Sequence, residues 1–100
     1  MAVAVEMTFK GATTEQYDKV MELMGLSPGA PGPKGALFHW CAKTDTGLRI
    51  TDVWESEAEF GKFAEEQIGP AGAAVGMGPV EPRMVPVHNR VVGKAAQPAS

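Results

Sequence analysis

The sequence has one cysteine, no basic run and no long apolar stretch, and each shortage excludes a class of protein. Cys41 is the single cysteine among 100 residues, so a disulfide within the chain is impossible. The nine lysines and arginines are scattered and the net charge is −3, which argues against nucleic acid or an anionic membrane as a partner. The longest apolar runs are far too short to cross a bilayer.

The first ten residues, "MAVAVEMTFK", do not have the pattern of a secretory signal. They lack a basic start, and Glu6 interrupts the apolar stretch. Together with the single cysteine, this predicts a soluble cytoplasmic protein. The apolar share of 44% is ordinary for a globular protein of this length. We expect one domain over residues 1–92 and a flexible C-terminal tail over residues 93–100.

Strand and helix patterns follow one another along the chain. Alternating apolar residues predict four strands, β1 to β4, over residues 2–9, 36–44, 48–55 and 80–92. Capping-box patterns predict two helices, α1 beginning after Thr13 with Gln16 and α2 beginning after Ser56 with Glu59. The glycine-rich stretch 69–79 is expected to be a connection that contains at most one short helical turn.

The order of these elements, βαββαβ, is typical of an α+β, ferredoxin-like fold. Such a fold has a four-stranded antiparallel sheet in the order β4-β1-β3-β2, with two helices on one face. The first three strands carry apolar residues on both faces, for example Ala4 beside Val5 and Ile50 beside Val53. A sheet with one wet face is polar at alternate positions. We therefore expect a homodimer whose sheets pack face to face into an α+β barrel.

The hairpin between β2 and β3 determines which side chains share a face. A turn at Asp45-Thr46-Gly47 with Gly47 in a left-handed conformation favours a pairing in which Trp40 lies opposite Asp52. In the same register Phe38 lies opposite Trp54, and His39 lies on the other face. A slip of one residue would instead place His39 opposite Asp52, because side chains alternate with period two.

In the favoured register an aromatic patch surrounds one carboxylate. Phe38, Trp40 and Trp54 would bind a flat apolar ligand, and Asp52 would act as a catalytic acid, base or hydrogen-bond anchor. The alternative interpretation is structural, with Asp52 accepting a hydrogen bond from the indole N–H of Trp40 or from a nearby backbone donor, and with the aromatic rings forming core.

The two histidines are further candidates. His39 is a candidate catalytic base because imidazole exchanges a proton near neutral pH; the alternative is a strand histidine with one hydrogen bond. His88 is predicted on β4 at the opposite edge of the sheet, so a face-to-face dimer would bring His39 of one copy and His88 of the other to one cavity. His39 and Cys41 lack further ligands at metal-binding spacing, so no metal site is expected.

The stretch "DVWESEAEFGKF" at 52–63, with the element order and the chain length, resembles the dimeric α+β barrel superfamily. Within it, the likeness is to small antibiotic-biosynthesis-monooxygenase-like proteins, and it covers about residues 2–92. Members include cofactor-free oxygenases of polycyclic aromatic compounds, haem-degrading enzymes and lactone isomerases. Haem-binding members use a helical histidine, whereas both histidines here lie on predicted strands, so no cofactor is expected. The family has no motif strict enough to carry catalytic residues over.

The resemblance implies a small cofactor-independent enzyme, a monooxygenase or an isomerase. It would act on a hydrophobic aromatic or polyketide-like molecule in a cavity of the dimer. Asp52 or His39 would move a proton, and the substrate would contact Phe38, Trp40, Trp54 and His88. The alternative is a non-catalytic dimer of the same fold that binds a small ligand or serves as an accessory protein.

Overall fold

The computed structural model describes residues 1–29 and 31–96. Its strands follow the alternation of apolar residues in the sequence, and two of its helices begin at capping residues. The elements are β1 (Val3–Lys10), α1 (Thr14–Leu23), β2 (Ala36–Lys43), β3 (Gly47–Trp54), α2 (Glu57–Phe63), a π-helical segment (Ala64–Ile68), α3 (Gly69–Val75), β4 (Arg83–Pro86) and a 3₁₀ turn (Lys94–Ala96).

The four strands form one antiparallel sheet in the order β2-β3-β1-β4. This arrangement confirms the predicted ferredoxin-like α+β fold. β4 is much shorter than the stretch 80–92 that was predicted, since only Arg83–Pro86 pairs with β1. Pro82 and Pro86 have no N–H to donate, which limits the ladder at both ends of this edge strand.

Both predicted helix starts are present. The Thr13 hydroxyl accepts the N–H of Gln16 at 3.2 Å, and the Gln16 amide oxygen accepts the N–H of Thr13 at 2.9 Å. The Ser56 hydroxyl likewise accepts the N–H of Glu59 at 3.2 Å. These bonds satisfy backbone donors that have no partner inside the helix, and so they determine where each helix begins.

The second helical region is longer than the sequence predicted. The stretch 69–79 was expected to be a connection, but helix continues through the π-helical segment into α3 and ends at Gly76, which has a φ of 77°. Pro70 cannot donate a helical hydrogen bond, and its ring crowds the carbonyl one turn before it. The wider π turn in front of Pro70 accommodates that crowding, and the alanines that follow favour helix.

The helices cover one face of the sheet and bury a single core. On β1 and β3 every second residue points into this core, and Trp54 is only 2% exposed. Its ring packs against Phe60 and Phe63 of α2, with centroid distances of 5.7 and 5.4 Å. The buried apolar residues are Val3, Val5, Met7, Phe9, Val20, Leu48, Ile50, Trp54, Phe60, Ala71 and Met77.

None of the helices in the described residues covers the opposite face of the sheet, which we call the open face. It carries Phe38 and Trp40, which are 57% and 41% exposed, beside the partly buried Ala4 and Val53. Arg49 donates to the Glu6 carboxylate across the same face at 2.8 Å. The open face therefore has exposed aromatic side chains on β2 and an ion pair between β3 and β1.

The C-terminal part of the chain was predicted to be a flexible tail over 93–100. The described part of it contains the 3₁₀ turn, and residues 97–100 lie outside the described residues. Among the helices of the described residues, none has the length and apolar character needed to span a membrane.

Candidate functional site

The pairing of β2 with β3 brings His39 next to Asp52. The structure pairs His39 with Asp52 and Trp40 with Thr51. The register favoured from the sequence, with Trp40 opposite Asp52 and Phe38 opposite Trp54, is therefore wrong by one residue.

The turn explains the difference in register. The Thr44 hydroxyl accepts the N–H groups of Thr46 and Gly47 at 3.3 and 3.1 Å. Thr44 thereby belongs to the turn, and the ladder begins one residue earlier, with Lys43 opposite Leu48. Because side chains alternate along a strand, that one residue turns all of β2 over.

A chain of hydrogen bonds links Asp52 to three other side chains. One carboxylate oxygen of Asp52 lies 2.5 Å from Nδ1 of His39. The other oxygen accepts the indole N–H of Trp54 at 3.2 Å. On the far side of the imidazole, Nε2 of His39 lies 2.5 Å from the hydroxyl of Tyr17 on α1. We call Tyr17, His39, Asp52 and Trp54 the Tyr-His-Asp-Trp chain.

The chemistry of these groups assigns donors and acceptors along the chain. A carboxylate only accepts, so His39 donates its Nδ1–H to Asp52. A neutral imidazole then has a lone pair on Nε2, which accepts the Tyr17 O–H. This is the arrangement in which a carboxylate orients a histidine and stabilises the imidazolium that forms when the histidine takes up a proton.

Burial in the Tyr-His-Asp-Trp chain decreases from Trp54 through Asp52 to His39, and Tyr17 is intermediate. Trp54 is buried and Asp52 is 5% exposed, whereas the side chain of His39 is 36% exposed and Tyr17 is half-buried. The imidazole is therefore reachable from solvent at the edge strand β2, while the carboxylate behind it is screened from water. Interactions of the carboxylate are stronger in such a place than at the surface.

The surroundings of Tyr17 favour its neutral form. Burial raises the pKa of Tyr17 to about 12, and the nearby side chains of Cys41, Asp52 and Asp18 act in the same direction. Burial also raises the pKa of the Cys41 thiol, helped by Asp18. The hydroxyl and the thiol beside the imidazole are therefore both protonated near neutral pH.

The structure unites some of the predicted site residues and separates others. His39 and Asp52, the two predicted catalytic residues, are in direct contact. Trp54 holds Asp52 and is too deeply buried to stack on a ligand, so the indole partner of Asp52 is Trp54 and not Trp40. Phe38 and Trp40 lie on the open face, away from the carboxylate, because the register differs by one residue.

His88 lies apart from this chain. It follows β4 instead of lying on it, and it is exposed. It borders an open groove of about 400 Å³ whose lining residues are Ala2, Glu55, Val87, His88, Asn89 and Arg90. Because His39 faces the helices, it points away from any second sheet packed on the open face. The register therefore does not support a cavity between two sheets that is shared by His39 and His88.

Tyr17 is the member of the chain that sequence reasoning missed. Its position in the apolar stripe of α1 indicates core packing. One signal was available, because a half-buried tyrosine hydroxyl usually finds a hydrogen-bond partner. The described residues contain no group of three or more His, Cys, Asp or Glu side chains arranged to hold a metal ion.

Comparison with known proteins gives similarity in structure. No family model matches the sequence, and no curated protein matches it either. A protein of Chloroflexus aurantiacus, provisionally named an antibiotic biosynthesis monooxygenase, is 21% identical with a TM-score of 0.60, over 93% of this chain and 100% of that one. A provisionally named monooxygenase of Shewanella loihica is 20% identical with a TM-score of 0.54, over 89% of this chain and 96% of that one.

A third solved structure has a more specific name. SnoaB of Streptomyces nogalater, a cofactor-independent oxygenase, is 15% identical with a TM-score of 0.54, over 90% of this chain and 94% of that one. At these identities the likeness concerns the fold. The chain thus has the ferredoxin-like α+β fold of the antibiotic-biosynthesis-monooxygenase-like proteins, as the sequence resemblance predicted.

Proposed function

We propose that the protein is a small cofactor-independent enzyme that removes a proton from a hydrophobic aromatic or polyketide-like molecule. The observation that carries the proposal is the contact between the half-exposed imidazole of His39 and the buried carboxylate of Asp52, at 2.5 Å. The names of the structural neighbours, which include a cofactor-independent oxygenase, support the reaction class.

In this mechanism His39 is the base and Asp52 orients it. A hydroxyl of the substrate replaces the Tyr17 hydroxyl at Nε2 of His39 and transfers its proton there, and Asp52 stabilises the resulting imidazolium. The substrate anion is electron-rich, and with a polycyclic aromatic substrate it reacts directly with molecular oxygen.

The exposure of His39 gives the direction of approach. The imidazole opens to solvent between α1 and the edge strand β2, so the substrate docks there, against the ring of Tyr17. This location replaces the cavity between two sheets that the sequence favoured. It also leaves the open face available for a second copy of the chain.

A homodimer through the open face is part of the proposal. Phe38 and Trp40 are large, apolar and exposed, and a second sheet packed on them would remove that surface from water. Phe38→Asp places a charge in this surface, so we expect it to leave a monomer in analytical ultracentrifugation while the wild-type chain sediments as a dimer. A wild-type monomer would contradict the dimer.

The cytoplasmic location expected from the sequence stays a prediction.

The enzyme proposal is tested by turnover. Oxygen consumption is measured with a panel of polycyclic phenols and hydroquinones, without added metal or flavin. We expect the wild type to consume oxygen and His39→Gln to lose about 10²–10⁴-fold in rate, the usual contribution of a positioned general base. Asp52→Asn should lose rate as well, because it no longer stabilises the imidazolium.

The matched control is His88→Gln, which removes the other histidine of the protein. Since His88 lies outside the Tyr-His-Asp-Trp chain, this variant should retain wild-type turnover. Equal turnover in the wild type and His39→Gln would refute the assignment of the base. No turnover by the wild type with any member of the panel would favour the non-catalytic, ligand-binding alternative.

A further inference from the structure

The hydrogen bond between Tyr17 and His39 places an oxidisable phenol against a base. The Tyr17 hydroxyl and Nε2 of His39 are 2.5 Å apart, and the two rings are nearly parallel, with an angle of 6° between them. The other imidazole nitrogen is held by Asp52. The proposed proton abstraction uses only Nε2 of His39 and has no role for the phenol as a reactant.

Proton transfer decides how easily a phenol gives up an electron. Loss of an electron alone leaves a phenol radical cation, a very strong acid and a high-energy species. A route in which Tyr17 first loses its proton and then its electron is also disfavoured near neutral pH, because burial raises the pKa of Tyr17 to about 12. The remaining route moves the electron and the proton in one step, which requires a base already in hydrogen-bond contact. His39 meets that requirement.

We infer that Tyr17 is a one-electron donor whose oxidation is coupled to proton transfer to His39, and that its partners are organic radicals of the phenoxyl or peroxyl class. The O–H bond of Tyr17 breaks and an N–H bond forms at Nε2 of His39. The electron passes to the incoming radical, which becomes an anion, and Tyr17 becomes a neutral tyrosyl radical.

The surroundings of Tyr17 support each part of this step. The imidazolium formed is paired with the buried carboxylate of Asp52, whose second oxygen keeps the N–H of Trp54. Tyr17 is half-buried at the β2 edge, so a small organic radical can approach the ring while most of it stays packed. The inference does not rest on the proposed enzymatic function, since it needs no turnover.

The small number of oxidisable aromatic residues lets the test assign a radical to one residue. Tyr17 is the only tyrosine in the sequence, so any tyrosyl radical is on Tyr17. The chain has two tryptophans, of which Trp40 is exposed on the open face and competes for oxidants. The experiment therefore uses Trp40→Phe as the starting protein.

The probe is tris(bipyridine)ruthenium(III), generated by a light flash in the presence of a sacrificial acceptor at neutral pH. Transient absorbance and electron paramagnetic resonance identify the radical. We expect a tyrosyl radical in the Trp40→Phe protein and none when Tyr17→Phe is added. Adding His39→Gln should slow tyrosyl formation severalfold or more, because glutamine accepts a hydrogen bond but does not take up the proton. Circular dichroism confirms that each variant is folded.

A second measurement needs no change at Tyr17 or His39. In heavy water the same oxidation of Trp40→Phe protein should be slower, because the proton moves together with the electron. An equal rate in light and heavy water would overturn the inference, and so would an equal rate with and without His39→Gln. Oxidation confined to Trp54, with no tyrosyl signal, would overturn it as well.

Discussion

The two faces of the sheet are built from the same strands but carry opposite chemistry. The face under the helices buries a carboxylate and an indole, which are hydrogen-bonded to each other, and the carboxylate also holds a half-exposed imidazole. The open face carries exposed Phe38 and Trp40, and an ion pair between Arg49 and Glu6. The hydrogen-bonded groups that can do chemistry are thus on the face that the helices cover, and the exposed aromatic side chains are on the other face.

This contrast shows that burial, rather than polarity alone, identifies the candidate site. Asp52 stays in an apolar core because all of its hydrogen-bond needs are met there. Among the described residues, no buried side-chain nitrogen or oxygen lacks a hydrogen-bond partner. A fully satisfied polar network in a core fixes side-chain positions, which is what an oriented base requires.

The largest difference between the faces is expected for the two tryptophans. Trp54→Ala leaves a cavity beside Phe60 and Phe63 and removes a donor from Asp52, so it should lower the free energy of unfolding by about 3–5 kcal/mol. Trp40→Ala, its matched control on the open face, should cost about 1 kcal/mol or less in the monomer, as an exposed substitution does. Urea unfolding measures both, and similar losses would contradict the contrast.

A smaller loss is expected at the buried carboxylate. Asp52→Ala removes the partner of both His39 and Trp54 and leaves a buried indole N–H unsatisfied, which costs about 1–3 kcal/mol. Asp45→Ala in the exposed turn is the control and should lie within about 0.5 kcal/mol of the wild type. Chemical denaturation again provides the measurement. An Asp52 variant as stable as the control would show that the hydrogen-bonded chain contributes nothing to the fold.

The third prediction concerns alkaline pH. The pKa of Tyr17 is raised from 10.0 to about 12, so folding favours the protonated phenol. This contribution is complete below pH 10 and is lost as the pH rises toward 12, since the unfolded chain releases the proton first. The near-ultraviolet absorbance of the phenolate, which Tyr17 alone provides, should therefore have its midpoint near 12 in the folded protein.

A second measurement compares the stability of the wild type with that of Tyr17→Phe, which lacks the phenol. The free energy of unfolding of the wild type should fall more steeply over this alkaline range than that of Tyr17→Phe. A phenolate midpoint at the ordinary value in the folded protein would contradict the burial of the hydroxyl.

The smallest effect is expected on the open face. The Arg49 side chain is half-exposed and pairs with Glu6. Arg49→Gln breaks this ion pair and should lower the free energy of unfolding by about 0–1 kcal/mol. Salt should reduce even this contribution, because solvent screens exposed charges. A loss as large as that of Asp52→Ala, measured by the same urea titration, would show that the two faces do not differ as described.

The candidate site was only partly predictable from the sequence. His39 and Asp52 were recognised because histidine and aspartate stand out on apolar strands, but the register that joins them was not the favoured one. Tyr17 could not be assigned, since its partner lies 22 residues away on another element. Helix α3 was missed because Gly69 and Pro70 read as a break, whereas a π turn absorbs the proline.

The sequence by itself predicted the four strands, the helix starts at Thr13 and Ser56, and the strand order of the sheet, but not α3. The strands and helix starts depend on local alternation and on capping residues three positions apart, so a single chain segment carries that information. The strand order follows from the βαββαβ pattern of the whole chain. Only the tertiary structure decided that His39 lies on the same face of the sheet as Asp52. The Thr44 hydroxyl holds the turn so that the ladder begins at Lys43, one residue earlier than expected, and period-two alternation converts that shift into a change of face.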